Sequence, residues 1–235
     1  MAQKENRIMD SKVIVYSCVT AGYDDVTGTL LRGTPVREDN VKFVLFTDRS
    51  PDGDTGVWEV CPLKWHHDTC PRRSARYHKC MAQRVLPHHD YSIWVDGSQI
   101  FKAVRVWEDI VSPQVSGGYD LATFKHPLRQ CVYQEEKACE KHRKDNVDVM
   151  RLQMARYQSE GYPAYNGMVE TACVLRANTS EVHEFNATWW NEILKDSFRD
   201  QLSFNYVCWR LGREYGHIPG HREESTFFDF VSHKR

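Results

Sequence analysis

The sequence predicts one α/β domain with a mostly parallel, Rossmann-like central sheet flanked by helices. Three observations support this prediction. Short apolar segments alternate with segments of helical composition along the first half of the chain, which is typical of βαβ units. Turn-forming glycine, proline and aspartate separate the segments. The 235 residues fit one domain, and no repeat, linker or low-complexity tract divides them.

The predicted strands are runs of β-branched and aromatic residues without polar alternation, as expected of strands buried on both faces. They cover residues 12–19, 41–47, 57–61, 91–95, 120–124 and 172–177, with a short extended segment at 100–101.

The predicted helices combine good helix formers with few internal breakers. They cover residues 74–86, 132–143, 147–159, 180–194 and 200–211, and Asp145, Ser180 and Asp200 are their candidate N-caps. We expect residues 1–11 to be a flexible N-terminus, residues 12–235 to form the domain, and the stretch 212–235 to be irregular.

Composition excludes several classes of function. The net charge of −1 creates no overall electrostatic attraction to nucleic acid. The longest apolar runs fall far short of the roughly 20 residues that span a bilayer, and the polar N-terminus lacks a signal peptide's apolar core. The eight cysteines include no Cys-x-x-Cys pair, which favours a reducing compartment. We therefore expect a cytoplasmic protein with no nucleic-acid partner and no membrane segment.

The strongest local signal is an aspartate delivered by an apolar strand to a tight turn. Asp96, Gly97 and Ser98 follow the predicted strand 91–95. Ligands of open α/β sheets bind outside the carboxyl ends of the strands, where a carboxylate can hold a divalent ion. The alternative is structural, because Asp-Gly is a favoured turn dipeptide in its own right.

Basic residues in the preceding helix form a second candidate feature. Arg72, Arg76 and Lys79 share one helix face at their spacing, and that face could meet phosphates. A solvated surface is the equally plausible alternative.

Two further polar groups follow predicted elements. Lys125, His126 and Arg129 come directly after the strand 120–124, where His126 could bind a ligand, move a proton or serve structure alone. Arg199, Asp200 and Gln201 lie at a helix N-terminus, where Asp200 is a natural cap but could also grip sugar hydroxyls.

In order along the chain, these motifs resemble one family. They include Gly-Tyr-Asp-Asp at 22–25, Phe-Thr-Asp at 46–48, Arg-x-x-Ala-Arg at 72–76, Ile-Trp-Val-Asp-Gly-Ser at 93–98, Lys-His-Pro-x-Arg at 125–129, Trp-Trp-x-Glu at 189–192 and Arg-Asp-Gln-Leu-Ser-Phe at 199–204. From about residue 12 to about residue 210, the chain resembles the glycosyltransferase-like family first described as domain of unknown function 616. Its plant relatives include mucilage-related and turgor-regulation proteins.

The resemblance implies a GT-A-like fold and transfer of a hexosyl or pentosyl group from a nucleoside-diphosphate donor to a hydroxyl acceptor. It also implies a divalent metal, Mn²⁺ or Mg²⁺, bound by Asp96. The usual second carboxylate of an Asp-x-Asp signature is replaced by Ser98. A late histidine, such as His217, His221 or His233, would then complete the metal site, or Asp96 would bind only the sugar or ribose.

By the same resemblance, Asp200 and Gln201 lie beside the reacting carbon, with His126 as a further catalytic residue. If the reaction inverts the anomeric centre, Asp200, Glu135 or His126 would be the general base. The expected donor-binding residues are Thr20, Tyr23, Asp48, Arg72, Arg76, Lys79, Asp96, Ser98, Lys125, Arg129 and Arg199.

Other functions fit the same residues. One is a hydrolase or nucleotidyltransferase that uses Asp96 with His126 on this sheet. Another is a non-catalytic module that binds a glycan, a nucleotide or, through the face of residues 72–79, RNA.

Overall fold

A seven-stranded sheet forms the centre of the computed structural model, which describes residues 11–232. The strand order is β3-β2-β1-β4-β7-β6-β8, and only β7 runs antiparallel to its neighbours. Helices cover the sheet, so the predicted class, a single α/β domain of Rossmann-like type with a mostly parallel sheet, is confirmed. The strands of this sheet are β1 (Val13–Val19), β2 (Val41–Thr47), β3 (Trp58–Cys61), β4 (Tyr91–Val95), β6 (Leu121–Lys125), β7 (Val169–Ala177) and β8 (Gly216–Ile218).

A separate antiparallel ribbon joins β5 (Gln99–Phe101) to β9 (Phe228–Phe230). The stretch 212–235 was predicted to be irregular, but its described part contains β8 and β9. Both strands have only three residues, too few for a periodic signal, and long-range pairing creates them.

Seven α-helices lie in the described part of the chain. They are α1 (Pro71–Cys80), α2 (Ala82–Val85), α3 (Ser112–Ser116), α4 (Val132–Lys141), α5 (Val147–Ser159), α6 (Ser180–Lys195) and α7 (Gln201–Arg210), joined by a 3-10 turn at Leu30–Arg32 and a π-helical segment at Val106–Val111.

The first helix begins and ends differently from its prediction. It starts at Pro71, because proline at the first helical position loses no hydrogen bond. It ends at Cys80, since Met81 leaves helical geometry with φ −99° and ψ 46°, and the remainder becomes α2.

Both faces of the sheet are buried, which explains the largely apolar composition of β1. Ile14 and Tyr16 face a core shared with α1 and α4–α7. Val13 and Val15 face a second core, which the 3-10 turn, the π-helical segment and the β5–β9 ribbon close.

Two predicted N-caps are wrong. Asn146, not Asp145, accepts hydrogen bonds from the first turn of α5, and Asp145 instead accepts from Ser197 Oγ at 2.5 Å. Thr179, not Ser180, caps α6.

The eight cysteines all carry free thiols in the structure. None of the helices in residues 11–232 combines the length and apolar character needed to cross a membrane.

Candidate active site

A cavity of about 670 Å³ opens at the carboxyl ends of β1 and β4. Because β7 is antiparallel, its first residues reach the same edge of the sheet. The amino-terminal turn of α1 and one face of α4 close the sides. The lining includes Thr20, Tyr23, Asp24, Arg72, Arg76, Asp96, Ser98, His126, Arg129, Glu135, Glu170, Thr171, Arg199, Asp200, Gln201 and Arg222.

The Asp96–Ser98 turn forms part of the cavity floor. Gln99 N donates to Asp96 O at 3.1 Å, which closes the turn expected from the sequence. A Cβ on Gly97 would lie 2.4 Å from Asp24 Oδ2 and 2.8 Å from Val19 Cγ2. A side chain at position 97 would therefore force Asp24 and Val19 to shift, which favours glycine here.

Behind this floor lies a cluster of four charged residues, Arg76, Lys79, Asp96 and Asp200, which we call the cavity charge cluster. Lys79 Nζ lies 3.2 Å from Asp96 Oδ1 and 2.6 Å from Asp200 Oδ2. Arg76 Nε lies 3.0 Å from Asp200 Oδ1. The cluster joins α1, the β4 turn and the start of α7, three elements far apart in the sequence.

Neutral donors complete the cluster. Trp94 Nε1 donates to Asp96 Oδ1 at 2.7 Å, and Thr171 Oγ1 donates to Asp200 Oδ2 at 2.6 Å. Burial raises the pKa of both aspartates, but the charges of Lys79 and Arg76 outweigh it and hold each pKa below its usual range. Both side chains are therefore carboxylates at neutral pH.

The predicted capping role of Asp200 is wrong. Asp200 precedes α7, yet its backbone is already helical, with φ −56° and ψ −32°, and its side chain accepts no hydrogen bond from the helix. Its carboxylate turns toward the cavity charge cluster instead. Trp189 Nε1 fixes the backbone by donating to Asp200 O at 3.0 Å.

Two arginines that line the cavity, Arg72 and Arg199, have no carboxylate of residues 11–232 within ion-pairing distance. Arg72 lies between the rings of Tyr23 and Phe198, with its guanidinium carbon 5.1 Å from each centroid. Arg199 has a buried Nε that makes no hydrogen bond. The cavity wall therefore offers two guanidinium groups to an anion.

A second polar group lies on the other wall. His126 Nδ1 accepts from the backbone N of Leu128 at 3.1 Å and of Arg129 at 3.0 Å. His126 Nε2 lies 3.5 Å from Glu135 Oε2, which also pairs with the Arg129 guanidinium. Burial raises the pKa of Glu135, but hydrogen bonds from His126 and Arg129 outweigh it and lower the pKa.

Several other predicted site residues also lie at the cavity, some of them in supporting positions. Tyr23 and Ser98 line it. Thr20 Oγ1 donates to Pro71 O at 2.8 Å and thereby ties the first loop to α1. Gln201 lines the cavity while its Nε2 donates to Val169 O at 3.0 Å.

Other candidates lie away from the cavity. Asp48 accepts from Ala21 N at 3.0 and 2.9 Å, so it holds the first loop from behind. Lys125 is exposed and does not line the cavity. His217 lies on β8, and His221 Nε2 lies 3.5 Å from Glu224. His233 lies outside the described residues.

The sequence did not identify some residues that complete the site. Thr171 is the third residue of β7 and lies one position before the start of the predicted strand 172–177. Glu170 Oε2 accepts from Arg222 N at 3.0 Å, which brings the C-terminal stretch onto the cavity. No local pattern could reveal a contact between residues 52 positions apart.

The chain matches the family described as TOD1/MUCI70, glycosyltransferase-like domain, over residues 1–229. It is similar to the Arabidopsis thaliana protein named probable hexosyltransferase MUCI70, at 25% identity over 83% of this chain and 37% of that protein. It is also similar to alkaline ceramidase TOD1 of Arabidopsis thaliana, at 25% identity over 70% of this chain and 38% of that protein.

The chain thus spans less than two fifths of the length of these two relatives. The family match, in contrast, extends over nearly the whole chain and includes every residue of the cavity. The resemblance seen in the sequence motifs is confirmed, and the chain belongs to the TOD1/MUCI70 glycosyltransferase-like family.

Proposed function

We propose that this chain transfers a hexosyl or pentosyl group from a nucleoside-diphosphate sugar to a hydroxyl group of a glycan or small molecule. The family and the polar cavity support this proposal. The observation that carries it is the pair of arginines, Arg72 and Arg199, beside the carboxylates Asp96 and Asp200. Such an arrangement suits a substrate that carries a diphosphate at one end and hydroxyl groups at the other.

The departing nucleoside diphosphate gains negative charge as the bond to the sugar breaks. Fixed cations that lie near the developing charge lower the barrier, because they need no reorganisation during the reaction. Arg72 is held in place by two aromatic rings, and Arg199 immediately precedes Asp200 at the start of α7. We assign these two side chains to the diphosphate.

The reacting carbon acquires positive, oxocarbenium-like character, which a nearby carboxylate stabilises. Asp200 suits this role, because its lowered pKa keeps it ionised. The same property makes it a poor proton acceptor. Asp96 and Gln201 also line the cavity. We assign them to hydrogen bonds with sugar hydroxyls, in which the Asp96 carboxylate accepts.

Activation of the acceptor hydroxyl requires a group on the facing wall. Glu135 is ionised and lies beside His126, and both side chains line the cavity. We assign this pair to orienting the acceptor. These roles suit either retention or inversion at the anomeric carbon.

The test is an incubation with a panel of UDP- and GDP-sugars, with and without oligosaccharide acceptors, followed by measurement of released nucleoside diphosphate and sugar-linked product. We expect acceptor-dependent release. Asp200→Asn should reduce it by about 10²–10³-fold, the effect of removing one group that stabilises transition-state charge. Asp148→Asn, on the exposed side of α5, is the matched control and should leave it unchanged.

The relative named as a ceramidase makes amide hydrolysis the second candidate. Hydrolysis of a sphingolipid would require a surface for acyl chains, whereas charged side chains line much of this cavity. Release of fatty acid from ceramide by the wild-type chain, without turnover of any nucleotide sugar, would replace the transferase proposal. Sugar binding without turnover would indicate a binding module instead.

A further inference from the structure

The resemblance implies a divalent ion at Asp96, but the residues present do not fit a protein-built metal site. No group of three histidine, cysteine, aspartate or glutamate side chains converges anywhere in residues 11–232. His217 and His221 lie outside the cavity lining. Neither of these two histidines is therefore a partner of Asp96, and the third candidate, His233, lies outside the described residues.

A lysine occupies the place where such an ion would bind. Lys79 is fully buried, and its ammonium lies 3.2 Å from Asp96 Oδ1, 2.6 Å from Asp200 Oδ2 and 3.2 Å from Thr171 Oγ1. These are three oxygen atoms, the ligand type that Mg²⁺ and Mn²⁺ prefer. The ammonium has three N–H donors, one for each oxygen.

The charges around Lys79 are already balanced. The two carboxylates, Asp96 and Asp200, face two cations, Lys79 and Arg76. A divalent ion between the carboxylates would have to expel Lys79 and leave a buried ammonium without a partner, which is unfavourable. The cations that the diphosphate requires are supplied separately by Arg72 and Arg199.

We propose that Lys79 replaces the divalent cation of this site, so that the chain binds its nucleoside-diphosphate donor without a metal. The proposal rests on the function proposed above. Lys79 acts as a positioning residue, because it holds Asp96 and Asp200 in register and leaves the diphosphate to the arginines. Arg76 assists by pairing with the second oxygen of Asp200.

The first experiment measures binding of UDP and GDP to the wild-type chain by calorimetry, in EDTA and in Mn²⁺. Equal affinity in both buffers, within about twofold, supports the proposal. An affinity at least tenfold lower in EDTA overturns it and leaves the transferase function intact. Binding of neither nucleotide in either buffer overturns both, so the two failures are distinguishable.

The second experiment uses Mn²⁺ alone, without nucleotide, and follows binding by electron paramagnetic resonance. Wild type should bind no Mn²⁺ at this site. Lys79→Ser removes the ammonium and leaves two carboxylates and Thr171 around a space that a hydrated ion can enter, so it should gain one Mn²⁺. The gain should disappear in the double variant Lys79→Ser with Asp96→Asn.

A variant that folds, by circular dichroism, but binds no Mn²⁺ would overturn the assignment of Lys79 to a cation position. Lys79→Arg retains the charge and should gain no metal, which separates loss of charge from mere disturbance of α1. If Lys79→Ser fails to fold, the wild-type comparison in EDTA and Mn²⁺ still decides the proposal.

Discussion

Two ion-pair clusters lie in different surroundings in this molecule. The cavity charge cluster holds two cations and two carboxylates at the edge of an open cavity. A second cluster, which we call the helical charge cluster, consists of Arg156, Glu160, Glu192 and Asp196 on α5 and at the end of α6. None of its four residues lines the cavity.

Every carboxylate of the helical charge cluster pairs with Arg156. Arg156 pairs with Glu160 at 3.1 Å, with Asp196 at 2.5 Å and with Glu192. Tyr157 donates to Glu192 Oε2 at 2.9 Å. Arg210 Nη1 also lies 3.8 Å from Glu192 Oε1, so three carboxylates share two guanidinium groups and the cluster carries an excess of negative charge.

The cavity charge cluster differs because the residues around it carry an excess of positive charge. Its own charges cancel, and Arg72 and Arg199 lie beside it without a carboxylate partner in residues 11–232. The comparison teaches that an ion-pair cluster alone does not indicate a ligand-binding site. Charged side chains without an ion-pair partner at the wall of a cavity are the better indicator.

The largest expected effect is on stability, from Arg156→Met. Removal of this guanidinium leaves three carboxylates close together, of which only Glu192 is buried, so the free energy of unfolding should fall by about 3 kcal/mol, the lower end of the range for a broken buried pair. Urea denaturation measures the change. The fraction of this variant that remains folded should bind nucleoside diphosphate as the wild type does. Weaker binding by the folded variant would contradict a purely structural role of this cluster.

Arg199→Met tests the other side of the comparison. The loss of one charge-assisted contact should weaken nucleoside-diphosphate binding by about 10–100-fold, equivalent to roughly 1.5–3 kcal/mol. The free energy of unfolding should fall by only about 1 kcal/mol, since Arg199 forms no ion pair with a described carboxylate and acts on Asp200 only through its nearby charge. Calorimetry and urea denaturation measure the two quantities, and Arg199→Lys is the charge-conserving control. Normal binding by Arg199→Met would remove this residue from the diphosphate site.

Acid should affect α1, which carries the two cations of the cavity charge cluster, through His78. Its Nε2 accepts from Lys64 N at 2.9 Å, and its Nδ1 lies 2.7 Å from Ser74 O, so the neutral ring is fully bonded. Burial lowers the pKa of His78 to about 4. The unfolded chain, with a pKa near ~6.5, therefore binds the proton more readily.

The stability that neutral His78 provides is fully present above about pH 6.5 and is lost as pH falls from there toward about 4. At pH 5 the free energy of unfolding should be lower than at pH 7 by about 2 kcal/mol from this residue. Urea denaturation at the two pH values measures it. In His78→Gln the difference should shrink, and an unchanged difference would assign the effect to other groups.

Local patterns predicted the sheet and the position of the cavity well. β1 and β4 are apolar except for one serine each, and Asp96 follows the second directly, so its place at the strand end could be inferred. The spacing of Arg72, Arg76 and Lys79 also predicted a shared face. What the spacing could not reveal is that Lys79 is buried while Arg72 is exposed.

Long-range contacts account for what the sequence left out. Asp200 immediately precedes a helix, as an N-cap residue does. Its carboxylate nevertheless pairs with Lys79 and Arg76, because α1 packs beside it in the fold. Glu170 and Arg222 meet through the fold of the C-terminal stretch. The expected partners of Asp96 were histidines, whereas its contacts are a lysine and the indole of Trp94.

The smallest expected effect comes from one hydroxyl group that donates a hydrogen bond to a carboxylate of each cluster. Thr171 Oγ1 donates to Asp200 Oδ2 at 2.6 Å, and Tyr157 OH donates to Glu192 Oε2 at 2.9 Å. Thr171→Val and Tyr157→Phe each remove one donor to a buried carboxylate. Each variant should lose about 1–2 kcal/mol of unfolding free energy, a typical value for a hydrogen bond to a charged group.

Only Thr171→Val should also alter sugar transfer, because only its carboxylate partner faces the cavity. We expect a decrease in kcat of about 5–20-fold for this variant and none for Tyr157→Phe, measured as acceptor-dependent release of nucleoside diphosphate. Equal activity in the two variants would mean that Asp200 serves structure in the same way as Glu192. The distinction between the two clusters would then rest on the arginines of the cavity alone.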